Sequence, residues 1–157
     1  MANKYIIRWM TRKDMAEVLD IEYQSTKYSL SNIELNRILR QRNAVALVCE
    51  CENRILGYCI YEMFKQKLKL LRFVVYKDNR RQGVGTVLIK KMQARLTDTR
   101  RNKLTFPVSE YDLDLHLFLR SQSFTCTKII KNQYLFEYSV LETPSFNYQA
   151  IESKNHD

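Results

Sequence analysis

The residues best suited to chemistry in this sequence are Gly83 and Gly85, in the stretch NRRQGVGT at positions 79–86. The chain of 157 residues holds three glycines, and two of them bracket Val84. An apolar run, KLLRFVVY, ends just before them, and the helical spacing of Val84, Val87, Leu88, Met92 and Leu96 starts with them. At such a strand-to-helix junction the first-turn N–H groups lack intrahelical acceptors and carry the positive end of the helix dipole. Glycine lets an anion reach that backbone without a Cβ in the way, and Arg80, Arg81 and Gln82 add donors around it. The chemistry this predicts is the cradling of a pyrophosphate. Two familiar phosphate loops are excluded: no Gly-Lys-Ser/Thr follows at P-loop spacing, and Leu88 occupies the third glycine position of a dinucleotide fingerprint. The plainer alternative is that Gly83 closes a tight turn and Gly85 lets the helix pack on the strand.

Other side chains offer less. Cys49, Cys51, Cys59 and Cys126 contain no CxxC pair and sit in apolar, strand-like runs, which predicts buried reduced thiols and no metal site. Glu62, Glu110, His116, Tyr76 and Tyr134 could each move a proton, but sequence spacing places none of them beside a substrate.

The elements that position these residues follow from periodicity. A strand at 5–9 is followed by Thr11 and Asp14 in capping-box spacing, then by Met15, Val18, Leu19 and Tyr23 on one helical face. Ser31 and Glu34 repeat the device for a second helix ending near Arg42. The runs AVALVCEC and ILGYCIYEMF, joined by Glu52, Asn53 and Arg54, predict a hairpin, and KLLRFVVY a third strand of that sheet. After the glycine loop and its helix come a strand at KLTFPV, a helix capped by Asp112, and a closing hairpin from FTCTKII and QYLFEYSVL. The order β α α β β β α β α β β predicts an α+β domain over residues 1–141, with helices on a mixed sheet, and a polar tail at 142–157.

Composition sets the frame. An apolar fraction of 45% suits one packed core, and three Gly with two Pro argue against a low-complexity chain. No apolar run has the length of a signal peptide or a bilayer span, which predicts a cytoplasmic protein with no membrane partner. The net charge of +9 favours an anionic partner, be it a phosphorylated cofactor, an acidic protein surface or nucleic acid. Its scatter over Arg37, Arg40, Lys67, Lys69 and the run at Arg100, Arg101 and Lys103 reads as solvated surface. An RNA-binding role lacks an aromatic-basic signature, because the tyrosines alternate within strands.

The segment RRQGVG after LLRFVVYKDN resembles the Arg/Gln-x-x-Gly-x-Gly/Ala loop of the GNAT superfamily of N-acetyltransferases, through Arg80, Gly83 and Gly85. SEYDLDLHLFLRSQSF and the upstream IRWMTRKDMAEVLDIE resemble segments of its members that acetylate the N-terminus of ribosomal proteins. The resemblance implies a mostly antiparallel central sheet flanked by helices and an acetyl-CoA-dependent transfer of acetyl to an amine, foremost a protein or peptide α-amine, a ribosomal protein among them. It places Arg80, Arg81, Gln82, Gly83, Val84, Gly85 and Thr86 at the CoA pyrophosphate, Phe73, Val74 and Val75 along pantetheine, and Asp112 beside the cofactor. Tyr28 and Tyr134 fall at the acceptor. The fourth and fifth strands are expected to splay, which would let Pro107 sit within a strand. The family's general-base glutamate and general-acid tyrosine align with Pro107 and Leu119, neither of which moves a proton, so the catalytic residues are left open. The alternatives are an acyl-CoA-binding module without turnover and a transferase for small-molecule amines.

Overall fold

The computed structural model describes residues 4–141, and the tail expected at 142–157 lies outside the described residues. Strand β1 (Ile6–Trp9) leads through a 3-10 turn into helices α1 (Met15–Ser25) and α2 (Asn32–Leu39). Strands β2 (Ala44–Cys51), β3 (Arg54–Met63) and β4 (Lys67–Val75) follow, then α3 (Val84–Gln93), β5 (Lys103–Ser109), α4 (Leu113–Ser121), β6 (Thr125–Ile130) and β7 (Gln133–Ser139). The expected order holds, with α2 ending at Leu39 rather than near Arg42.

Local chemistry explains the boundaries. At the first cap the Thr11 N–H donates to the Asp14 carboxylate at 2.7 Å, and Ser31 Oγ accepts from the Glu34 N–H at 3.1 Å. Glu52 and Asn53 both take positive φ, 50° and 64°, the pairing that a tight two-residue hairpin turn requires. Arg8 ties β1 to the cap and to β2, donating to Asp14 at 2.7 and 2.9 Å and to Glu50 at 2.6 Å. These Arg8 hydrogen bonds outweigh burial and hold the Asp14 carboxyl down at about 2.

The seven strands form one sheet in the order β1-β2-β3-β4-β5-β7-β6, in which only β4 and β5 run parallel. Alternation along the strands sorts side chains into two cores. On one face Leu88, Ile89 and Met92 of α3 and Leu119 of α4 pack on Leu104, Phe106, Val108 and Phe136. On the other, Val18, Ile21 and Leu35 of α1 and α2 pack on Val48, Tyr58, Ile60 and Val74.

The expectation of four buried thiols holds fully at two positions and fails outright at one. Cys49 and Cys59 are buried and Cys51 half-buried, but Cys126 is exposed, because β6 is the sheet's edge and every one of its residues faces solvent. Among the described residues no helix is long and apolar enough to cross a membrane.

Candidate active site

Strands β4 and β5 are paired over three positions only, from Lys67 opposite Lys103 to Lys69 opposite Thr105. Beyond that point β4 continues along β3 and β5 along β7, so the expected splay is present and opens a gap between Phe73–Val75 and Pro107–Ser109. Just before the gap β4 carries an extra residue, Leu71, because Ile60 faces Arg72 while Tyr61 faces Leu70.

Ladder alternation decides which backbone groups face the gap. The Tyr76 N–H donates to the Leu56 carbonyl at 2.8 Å, so Tyr76 and, two residues earlier, Val74 direct their main-chain groups at β3. Phe73 and Val75 direct theirs at the gap. Val74 therefore departs from its expected role: its backbone pairs with β3 and its side chain is buried on the α1 face. On β5 the Val140 N–H donates to Asn102 and the Glu110 N–H to Asn132, which turns the even-numbered positions toward β7. Pro107 is odd, so its missing N–H points into the gap and takes no bond from the β7 ladder.

The glycine loop stands at the end of this gap. Gly83 is the N-cap of α3 with φ 86° and ψ 1°, a left-handed conformation that disfavours any Cβ, and the nearest atom to a Cβ built there is Tyr5 Cε2 at 3.9 Å. The first helical bond runs from the Val87 N–H to Gly83, leaving the N–H groups of Val84, Gly85 and Thr86 without intrahelical acceptors. Gly85 is needed for packing: a Cβ there would lie 3.1 Å from Phe118 and 3.3 Å from Phe73, whose rings stack at 5.6 Å. Gly83 thus has the open, left-handed geometry that an anion cradle needs, and Gly85 the close packing of the plainer alternative.

Around the loop the side chains differ from expectation. The Arg80 guanidinium donates to the carbonyls of Val75 at 3.3 Å and Ser25 at 2.6 Å, clamping the loop to β4 and to the end of α1 rather than reaching outward. Gln82 accepts the Tyr5 hydroxyl on its carbonyl at 2.6 Å, and Thr86 Oγ1 accepts from Gln122 at 3.3 Å. Arg81 is exposed with φ 62°, at the turn itself. Asp112 serves as the cap of α4, accepting the Leu115 N–H at 3.3 Å.

Sequence reading missed the hub beneath the loop 26–31, which carries Tyr28. Glu22 is fully buried on α1 and accepts Arg72 Nε and Nη2 at 2.7 and 2.6 Å, the Tyr58 hydroxyl, and the Leu30 N–H at 3.1 Å. Arg72 also donates to the Tyr28 carbonyl at 3.1 Å, so β4 holds this loop from beside its extra residue, while the Tyr28 ring is exposed. Burial pushes the Glu22 carboxyl up, but hydrogen bonds from Arg72 and Tyr58 and the Arg72 charge outweigh it and hold it below its ordinary range. Burial, reinforced by the Glu22 charge, pushes the Tyr58 phenol well up.

Of the proton-transfer candidates, two come together. The His116 and Tyr134 rings lie 4.9 Å apart, and His116 Nε2 is 2.9 Å from the Ser109 carbonyl. A carbonyl only accepts, so Nε2 carries the hydrogen and Nδ1 is the basic atom of the neutral ring. This pair lies on the α3/α4 face, and Pro107 on the opposite one. Tyr76 bonds Gln24 at 3.2 Å, Glu62 faces Lys69 across β3 and β4, and Glu110 follows the end of β5. Leu119 is fully buried in the core.

Acetyl-CoA fits this arrangement: orphan N–H groups and an open glycine suit a pyrophosphate, and the Phe73 main chain and the Val75 N–H face the gap, the Val75 carbonyl being taken by Arg80. An acetyltransferase from Thermus thermophilus superposes with a TM-score of 0.77 at 13% identity, covering 88% of this chain and 99% of that one. The PaiA N-acetyltransferase of Thermoplasma acidophilum, solved with coenzyme A, gives 0.73 at 12% identity over 87% and 99%. The ribosomal-protein alanine N-acetyltransferase of Escherichia coli gives 0.70 at 14% identity over 85% and 91%. No curated protein matches the sequence. Residues 17–119 match the family described as acetyltransferase (GNAT) domain. With that match spanning both the cradle and the gap, the chain belongs to the GNAT family of acetyl-CoA-dependent N-acetyltransferases.

Proposed function

We propose that the acceptor is the α-amine of a polypeptide, acetylated in the cytoplasm, with ribosomal proteins among the candidate substrates. The observation that carries this is Pro107, which stands on the β5 face beside the gap where a proton-accepting carboxylate is expected. His116 lies on the other side of the sheet. An attacking amine must be neutral. A free α-amine, with a reference pKa near 7.8, is roughly one quarter neutral at pH 7.4, and a lysine ε-amine only about 0.1%. A site without a strong base therefore favours the α-amine by about two orders of magnitude. When bound, acetyl-CoA supplies the activated acetyl thioester. The N–H groups of Val84, Gly85 and Thr86 hold the pyrophosphate, and the main-chain groups of Phe73 and the Val75 N–H order the chain that reaches into the gap, the Val75 carbonyl being held by Arg80. Four unpaired thiols support the cytoplasmic assignment.

Pro107 with Leu119 also favours a second reading, a module that binds acyl-CoA without turnover. Calorimetric titration with acetyl-CoA, then thiol release with a free-N-terminus peptide and with its Nα-blocked, lysine-containing twin, separates the readings. Release with the free terminus alone is expected. Faster release with the lysine twin would reject the α-amine, and binding without release would favour the module.

A further inference from the structure

Helices α1 and α2 pack on β2, β3 and β4, leaving the same face of β5, β7 and β6 open. A groove of about 440 Å³ lies there, and it carries Lys67, Lys69, Lys103 and Lys128 against a single acid, Glu137. The convergence has a structural cause. Lys67 and Lys69 are two apart on β4 and share a face, and Lys103 is the register partner of Lys67 across the parallel pair. Among the described residues none of the four lysines forms an ion pair. Thr105 in the floor is buried, and Pro107 closes the groove's end beside the gap.

We propose that this groove binds acidic side chains of the acceptor polypeptide just downstream of its amino terminus. The inference rests on the α-amine reading above and names the substrate class of the same site. With the amine at Pro107, the four residues of β5 back to Lys103 span about 13 Å, the length of about four extended peptide residues. Acceptor positions two to five therefore pass over the lysines. Four lysines against Glu137 leave the groove net positive, even with Glu62 the register partner of Lys69, and a net positive concave site attracts carboxylates and repels basic termini. A single-stranded nucleic acid is the poorer fit, because such sites stack bases on aromatic rings and the groove is lined by none. The exposed aromatics Trp9, Tyr23, Tyr28 and Tyr111 lie outside it, and Phe64, at its rim, is covered by Lys67 Nζ at 5.6 Å from the ring centroid.

The test uses fluorescence anisotropy without cofactor. Two C-terminally labelled peptides share a free N-terminus and differ only in Asp/Glu or Asn/Gln at positions two to five. The acidic peptide should bind about tenfold tighter at low salt, and the preference should fade as the Debye length shrinks toward about 3 Å at 1 M. The Lys69→Gln, Lys103→Gln double variant should remove about fivefold or more of that preference while its melting temperature and acetyl-CoA titration match wild type. Lys128→Gln, on an exposed edge strand, gives an independent partial loss. Equal affinity for the two peptides overturns the proposal, as does a single-stranded RNA that binds as tightly and depends on the same lysines. Failure of the α-amine reading has a different signature: acidic peptides bind, but thiol release is faster with the Nα-blocked, lysine-containing twin, or is absent as the non-catalytic module requires.

Discussion

Replacing Glu22 separates the stability of the fold from the placement of the loop 26–31, the proposed acceptor loop. Its carboxylate is fully buried and receives two Arg72 donors at 2.7 and 2.6 Å, the Tyr58 hydroxyl and the Leu30 N–H. Removing one partner of a buried pair costs about 3–5 kcal/mol, because the other charge is left uncompensated. The Arg72 side chain is 25% exposed, so water recovers part of that loss and the lower end applies. At about 2–4 °C per kcal/mol for a chain of this size, Glu22→Ala should lower Tm by on the order of 10 °C in scanning calorimetry. The double change Glu22→Leu, Arg72→Met removes both charges, and apolar replacement of a buried pair is often neutral, so its Tm should return to within about 3 °C of wild type. Its acceptor loop nevertheless lacks the Leu30 and Tyr28 tethers, so peptide KM should rise severalfold while acetyl-CoA affinity holds. A Glu22→Ala protein that melts like wild type, or a double variant with unchanged KM, would refute this reasoning.

The two glycines should fail differently. Gly83→Val forces a β-branched residue to φ 86° and should abolish calorimetric acetyl-CoA binding, and retained affinity would dismiss the cradle. Gly85→Ala presses on Phe118 and Phe73 and should cost about 1 kcal/mol, visible as a lower Tm. Acid should loosen α1. The Asp14 and Glu22 carboxyls are both held below their ordinary range, so their stabilisation is complete above pH ~4.5 and is lost as pH falls through their lowered pKa values, about 2 for Asp14. Melting followed by circular dichroism should show Tm flat from pH ~7 to ~5 and falling below that, and a flat profile down to pH ~3 would count against these two pairs as the acid-labile contacts.

Local signals made the fold legible. Capping spacings at Thr11, Ser31 and Asp112, alternation in β2 and β3, and the glycine loop each depend on neighbours a few residues apart. What depended on register did not show. Glu22 and Arg72 are 50 positions apart, and only the sheet makes them partners. Lys67 and Lys103 read as parts of separate solvated runs until the short parallel pairing set them side by side. The orientation of Val74 was hidden for the same reason: alternate residues of β4 turn to opposite neighbours, and the ladder phase is fixed by β3, not by β4's own sequence. Arg80 was legible as a donor to the loop, but its acceptors, Val75 and Ser25, lie on two elements folded against it.

The lysine groove also bears on how a site with Pro107 could sustain transfer. Proline at this position costs the sheet little, since its absent N–H would have faced the gap, so the consequence falls on proton chemistry. A positively charged amine at Pro107 stands two β5 positions, about 7 Å, from the level of Lys69 and is disfavoured relative to its neutral form, because nearby like charges lower the pKa of an ammonium, whereas Lys103, about 13 Å away, adds little. For a lysine acceptor, starting near 10.4, a shift of one unit still leaves about 1% neutral at pH 7.4, whereas an α-amine starting near 7.8 becomes mostly neutral. The same cluster that attracts carboxylates at positions two to five would thus help release the proton at position one. An acidic acceptor segment would partly offset this by screening the lysines, so the strongest activation falls to peptides whose first carboxylate stands beyond the residue next to the amine.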